Sequence, residues 1–206
     1  NADLDWRPEA LRVSGDLKIS EGSFFLKDVL RAPMQFRLQT GFSEISLNIS
    51  RASLSGPETE VELVGGVKNF LAPQFSFSLT GKSLNVDKAL VLPSGAPGEK
   101  TASSWALVPQ AQAETAKQAD VNPFLELAKN SVIASASGVL NAQIGKIVVY
   151  SAILDQVTVK AQLQSMLLRL VDGSLKTFGG SVKTKGEFDL KAPGLGYRSQ
   201  GSVTAI

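Results

Sequence analysis

A strict alternation of residue types is the feature that most constrains the fold of this chain. In the stretch at 182–191 the even positions carry Val182, Thr184, Gly186, Phe188 and Leu190, and the odd positions carry Lys183, Lys185, Glu187, Asp189 and Lys191. Successive side chains of a β-strand point to opposite faces of the sheet, so this period of two predicts a strand with one dry face and one charged face. The pair Gly179-Gly180 just before it predicts a turn or bulge at which the preceding strand folds back.

The same alternation recurs in nearly every segment before residue 80. The apolar positions there are Met34, Phe36, Leu38, Ile45, Leu47, Ile49, Val61, Leu63, Phe75, Phe77 and Leu79. Glycine and proline separate these runs at short intervals, for example at Gly41 and Pro73. Short alternating strands joined by turn residues predict an antiparallel meander with one dry side.

The middle of the chain has a different composition. Residues 93–120 are rich in Pro, Gly, Ala, Ser and Gln and lack the alternation, which predicts a flexible linker that proteases cut easily over residues 94–119. A short helix is predicted on each side of this linker. One covers residues 85–92, with Asn85 as N-cap, Leu90 packed inward and Pro93 as the stop, and the other covers residues 121–131, with Asn122 as N-cap.

After the second helix the first half of the chain recurs. An alignment that lays Ser14-Gly15 on Ser137-Gly138 also lays Leu17 on Leu140 and Leu47 on Leu170. Turn positions and apolar phase therefore repeat together. We predict a first meander with its terminal helix at residues 1–92, the linker at residues 93–120, and a helix with a second meander at residues 121–206. The two meanders either face each other as a sandwich or form one twisted sheet curled into a trough.

Composition excludes several functional classes. The chain contains no histidine and no cysteine, so histidine-based acid–base catalysis, histidine or thiolate metal ligation and a thiolate nucleophile are absent. Its 21 basic and 19 acidic residues are spread along the sequence, which gives no basic footprint for nucleic acid. We therefore expect a protein that is not an enzyme, with no cofactor, no metal and no nucleic-acid partner.

The stretch VDGSLKTFGGSVKTKGEFDL at 171–190 resembles a signature in the C-terminal region of the AsmA family. The matching positions are Asp172, Gly173, Leu175, Phe178, Gly179, Gly180, Val182, Gly186, Phe188 and Leu190. The family pattern has tyrosine where this chain has Phe178, so the ring is carried over and the hydroxyl is not. Residues 61–93 resemble the family's preceding segment.

The resemblance implies a mainly β fold in which antiparallel meanders form a strongly twisted, curled sheet, a β-groove, with two short helices. It further implies a periplasmic protein of Gram-negative bacteria, anchored to the inner membrane by a segment outside this sequence. The implied function is to conduct phospholipid or another acyl-chain lipid between the inner and outer membranes, in support of outer-membrane homeostasis, with envelope proteins as further partners. The alternative is a structural or chaperone-like β module that assists outer-membrane protein assembly through exposed sheet edges.

A lipid groove needs a continuous apolar strip, since each buried methylene contributes about 0.8 kcal/mol. The residues predicted to line it are Met34, Phe36, Leu38, Ile45, Leu47, Val157, Val159, Leu163, Leu168, Leu170, Val182, Phe188 and Leu190. Mid-sized aliphatic side chains dominate this set, which suits a smooth channel with low specificity for the lipid.

Overall fold

A single β-sheet of eleven strands dominates the molecule, and the strands follow one another in sequence order. The structure is a computed structural model that describes residues 2–7, 10–91, 129–192 and 196–204, without the side chains of residues 2–7 and 10–12. The predicted linker at 93–120 and the predicted cap Asn122 lie outside the described residues.

The strands are long, and the described residues between the sixth and the seventh strand form two short helices. The bounds are β1 Ala2–Arg7, β2 Ala10–Phe24, β3 Met34–Ser43, β4 Ser46–Gly56, β5 Thr59–Lys68, β6 Gln74–Asn85, α1 Val86–Ala89, α2 Ser131–Ala134, β7 Ser137–Val149, β8 Ala152–Gln164, β9 Leu167–Thr177, β10 Gly180–Asp189 and β11 Gly196–Thr204.

Every neighbouring pair of strands is antiparallel except β6 and β7, which run parallel. The parallel pair joins the two predicted meanders, β2–β6 and β7–β11, into one sheet. Within the described residues, β1 and β11 stand at opposite ends of the strand order and are not paired with each other. The prediction of a mainly β fold with antiparallel meanders and two short helices is confirmed, and the sheet is neither a sandwich nor a closed barrel.

Bulges keep the apolar side chains in phase along these strands. Ile19 pairs with Leu38 and Gly22 pairs with Phe36, so two residues of β2 lie opposite a single residue of β3. Comparable register shifts interrupt the pairing of β3 with β4, β4 with β5, β5 with β6, β8 with β9 and β9 with β10. Each bulge increases the local right-handed twist and bends its strand, which curls the sheet.

The packed interior is small and lies at one corner of the sheet. Leu30, Met34 and Ala89 are buried together, and Leu54 packs against them. The loop between β2 and β3 folds back onto the segment after α1, where the Arg31 N–H donates to the Ala89 carbonyl at 3.0 Å. No large side chain of the described residues is fully buried, as expected for one layer of sheet without a second layer opposite it.

The first predicted helix is present but shorter than expected. The Asn85 side chain caps α1 by accepting the Lys88 N–H at 3.0 Å, as predicted. The helix ends at Ala89, and Leu90 is not packed inward: it forms a β-bridge with Leu30 and is 37% exposed. The buried residue is Ala89, because the helix ends three positions before the predicted end at residue 92.

Most of the second predicted helix, residues 121–128, lies outside the described residues. The described helix α2 is capped by Asn130, whose side-chain oxygen accepts the Val132 N–H at 3.0 Å and the Ile133 N–H at 3.3 Å.

Candidate functional site: an apolar face and a cavity across seven strands

Cross-strand pairing places the apolar residues of ten strands on one face, here called the apolar face. One row consists of Gly15, Phe42, Leu47, Val67, Phe75, Gly138, Leu163, Leu168, Phe188 and Tyr197. A second row consists of Ile19, Leu38, Ala52, Leu63, Leu79, Ala142, Val159, Gly173, Thr184 and Gly201. Both rows cross the sheet from β2 to β11 without a charged side chain.

The apolar face is largely uncovered by the described residues. Its side chains are mostly half-buried by their neighbours within the sheet, and some are more exposed, such as Leu17 at 46% and Phe42 at 36%. The corner around Met34 is the exception, because the β2–β3 loop and α1 lie over it. An exposed apolar surface of this extent is typical of a binding surface.

Ten of the residues predicted to line a groove lie on this face in the described strands. They are Phe36, Leu38, Leu47, Val157, Val159, Leu163, Leu168, Leu170, Val182 and Phe188. Their assignment as lipid-lining residues stays a prediction.

Three of the predicted lining residues have other positions. Met34 has the phase of the apolar face but is only 2% exposed, within the cluster at the corner. Ile45 lies in the turn between β3 and β4 and is 65% exposed. Leu190 follows the end of β10, where its N–H donates to the Met166 carbonyl at 3.0 Å. The alternation of the sequence continues past the strand ends in both of these turns, which is why it misplaced them.

The signature residues lie in two different places. Phe178 and Gly179 form the turn between β9 and β10, with φ of 47° and 77°, and Gly180 begins β10. The predicted turn at the glycine pair is therefore present. Asp172 and Gly173 lie inside β9, next to a bulge opposite β8, and not in a turn.

A cavity of about 1130 Å³ crosses the seven strands from β2 to β8. Its lining includes one row of paired positions that belong to the apolar face, among them Phe36, Val61 and Val157. It also includes the polar and charged residues that flank this row on each strand, such as Arg37 and Glu62. The cavity therefore follows this row across the sheet.

Exposed ion pairs lie among the residues that line the cavity. The guanidinium of Arg51 lies 2.7 Å from a carboxylate oxygen of Glu62, and the ammonium of Lys82 lies 3.2 Å from a carboxylate oxygen of Glu60. Such solvent-exposed pairs contribute about 0–1 kcal/mol each. The sequence analysis did not predict this cavity, since alternation identifies the two faces of a strand but not the curvature of the sheet.

The described residues contain no group of three or more acidic side chains placed to hold a metal ion.

Hydrogen bonds from Lys88 and Asn85 lower the pKa of the Glu58 carboxyl from its ordinary value.

Comparison of the chain with protein-family models, with curated proteins and with solved structures finds no match. The resemblance to the AsmA family therefore rests on the signature residues and on residues 61–93, and it stays a prediction. Neither helix in the described part of the chain has the length and apolar character needed to cross a membrane.

Proposed function

We propose that the chain binds lipid acyl chains on its apolar face and takes part in phospholipid transport between the inner and outer membranes. The observation that supports this proposal is the pair of charge-free rows that cross ten strands in register, from Gly15 to Tyr197 and from Ile19 to Gly201. No second layer of strands covers them within the described sheet.

The dimensions of the face suit acyl chains that lie across the strands. Two acyl chains end to end fill a hydrocarbon core of about 30 Å, so one chain extends about 15 Å. Adjacent strands are about 4.8 Å apart, so one acyl chain spans about three strand spacings. A face ten strands wide accommodates successive positions for such a chain, which is the geometry that transport along a groove requires.

The chemistry of the face suits the same ligand. Hydrocarbon gains about 0.8 kcal/mol for each methylene removed from water and makes no hydrogen bonds, so an apolar surface without charged groups is sufficient. The ion pairs of Arg51 and Lys82 are exposed to solvent and lie outside both charge-free rows. Binding of this kind discriminates poorly between lipids of similar chain length.

Native mass spectrometry of the purified chain, with lipid extraction in parallel, tests the proposal. We expect co-purified phospholipid, and we expect delipidated protein to take up phospholipid from vesicles of phosphatidylethanolamine and phosphatidylglycerol. A folded chain that neither carries nor takes up lipid would contradict the proposal and would favour the alternative of a structural or chaperone-like β module.

A further inference from the structure

The last strands of the two meanders are counterparts. Five strands make up each meander, and β11 ends the second one as β6 ends the first. Phe75 of β6 and Tyr197 of β11 lie in the same row of the apolar face, each next to the preceding strand of its own meander. The two strands thus present equivalent outer edges.

β7 occupies the outer edge of β6, whereas no described strand occupies the outer edge of β11. β7 adds to β6 in parallel, over eleven residue pairs from Gln74 with Ser137 to Asn85 with Val148. β11 is the last strand of the sheet, and no strand of the described residues pairs with its outer edge. The exposure follows from this: Tyr197 is 70% and Val203 78% exposed, while their partners Phe188 and Val182 on β10 are half-buried.

The β11 edge has few of the features that protect edge strands from pairing, and its one charged residue, Arg198, lies on the charged face, where it pairs with Glu187. Proteins commonly protect an edge with lysine, proline or a bulge. β11 contains no lysine and no proline, and its pairing with β10 runs through nine residue pairs without a register shift. A regular edge of this kind retains a row of N–H and C=O groups for another strand.

We infer that the outer edge of β11 is a docking site for a β-strand of another protein, which adds in parallel as β7 adds to β6. The partner strand alternates apolar and polar residues, so that its apolar side chains continue the rows of the apolar face. It carries a small residue opposite Tyr197, as Gly138 lies opposite Phe75, where a Cβ would come within 2.2 Å of the Phe75 carbonyl oxygen. This inference does not depend on lipid binding.

A peptide with the sequence of β7, SGVLNAQIGKIVV, serves as the probe, and a peptide of the same composition with the alternation shuffled serves as its control. Fluorescence anisotropy measures binding, and hydrogen–deuterium exchange locates it. We expect saturable binding of the β7 peptide and slower exchange within residues 196–204. Equal binding of the shuffled peptide, or protection only at β1, would overturn the inference.

Two lysine substitutions on β11 separate edge pairing from a general effect of charge. Val203→Lys places the ammonium on the apolar face and Ser202→Lys places it on the charged face, since Val203 pairs with Val182 and Ser202 with Lys183. We expect at least about tenfold weaker peptide binding for Val203→Lys and nearly unchanged binding for Ser202→Lys, because an inward-pointing lysine blocks pairing at an edge. Unchanged binding by both variants would overturn the inference.

Analytical ultracentrifugation of the chain without peptide tests whether a second copy of the chain occupies the β11 edge. We expect a monomer. Dimers that Val203→Lys dissociates would show that a second copy of this chain occupies the edge and would overturn the assignment to a different protein. Circular dichroism of each variant checks that the sheet is retained, and the exposure of both side chains makes unfolding an unexpected result.

Discussion

The carboxylate of Asp87 accepts the backbone N–H of Tyr150 at 2.6 Å. It also accepts the N–H of Ser151 at 2.7 Å, so α1 at the end of the first meander holds the β7–β8 turn of the second. Both turn residues have positive φ, 48° and 60°, which a tight hairpin turn requires at its two central positions. The carboxylate thus fixes a turn whose residues do not themselves favour this conformation.

Replacement of Asp87 should therefore loosen the joint between the meanders. We expect Asp87→Ala to lower the free energy of unfolding by about 1–2 kcal/mol, because two hydrogen bonds to a charged group are lost at a partly exposed site. Asp87→Asn keeps one acceptor oxygen and should cost less. Urea denaturation measures both, and Glu21→Ala, at an exposed carboxylate on β2, is the control. Equal stability of Asp87→Ala and the control would contradict this role.

The lowered pKa of Glu58 predicts how the stability of the protein depends on pH. Hydrogen bonds from Lys88 and Asn85 lower the pKa of its carboxyl in the folded state below the ordinary value of 4.5. A carboxyl with a depressed folded pKa binds protons more weakly in the folded state than in the unfolded state. Its contribution to stability is therefore fully present above about pH 4.5 and is lost as the pH falls through the folded pKa.

The measurement compares the urea midpoints of the wild type and Glu58→Gln across this range. We expect the wild type to be slightly more stable at neutral pH and the difference to vanish in acid. The effect should be small, because the Glu58–Lys88 ion pair is exposed. A difference that grows as the pH falls would show the opposite sign and contradict the depressed pKa.

Gly138 tests the parallel junction between β6 and β7. A Cβ at this position would come within 2.2 Å of the Phe75 carbonyl oxygen and 2.5 Å of its ring, so Gly138→Ala should destabilise the chain by about 1–3 kcal/mol through overpacking. The control is Gly179→Asn, since nothing lies within 4 Å of a Cβ there and asparagine tolerates the positive φ of 77°. Thermal unfolding of both variants measures the effect. An unchanged melting temperature of Gly138→Ala would contradict a tight contact between β6 and β7 at this position.

Val159→Asp tests lipid binding against simple loss of stability. Val159 is half-buried on the apolar face, and Gln162 of the same strand is exposed on the charged face, so Gln162→Asp adds the same charge to the opposite side. On a face open to water the new carboxylate stays hydrated when lipid is absent. We expect Val159→Asp to unfold near the wild-type temperature but to lose bound phospholipid, whereas Gln162→Asp retains it.

Unfolding of Val159→Asp alone would leave lipid binding undecided, so Leu170→Glu, elsewhere on the same face, accompanies it. Both variants unfolding, together with a wild-type chain from which no lipid is recovered, would contradict the conduit and show that the apolar face is packed. Phospholipid in the extracts is quantified by mass spectrometry at equal protein concentration.

Much of the fold could be predicted from the sequence, because an alternation of apolar and polar residues indicates both a strand and the residues on each of its faces. The strand of Val182 and Phe188, the turn at Gly179 and the cap at Asn85 are all where the pattern put them. The ends of strands were less readable. Ile45 and Leu190 continue the alternation although they lie beyond the ends of their strands. The local pattern of residues does not show where backbone pairing between strands stops.

The repeat was visible in the sequence, but the way its two halves meet was not. Gly15 and Gly138, aligned by the sequence, lie in the same row of the sheet. Alternation is equally compatible with two sheets face to face and with one continuous sheet, because it fixes which side of a strand is apolar but not what lies opposite that side.

The sequence by itself determined the strands, their apolar and charged faces, and the absence of histidine and cysteine chemistry, since these depend on residue type and spacing alone. The tertiary structure decided that β6 and β7 pair in parallel, that a cavity crosses the strands from β2 to β8 and that β11 ends the strand order of the described residues. Those features depend on hydrogen bonds between residues far apart in the chain and on the twist that bulges add up across many strands. No local pattern of residues encodes either of them.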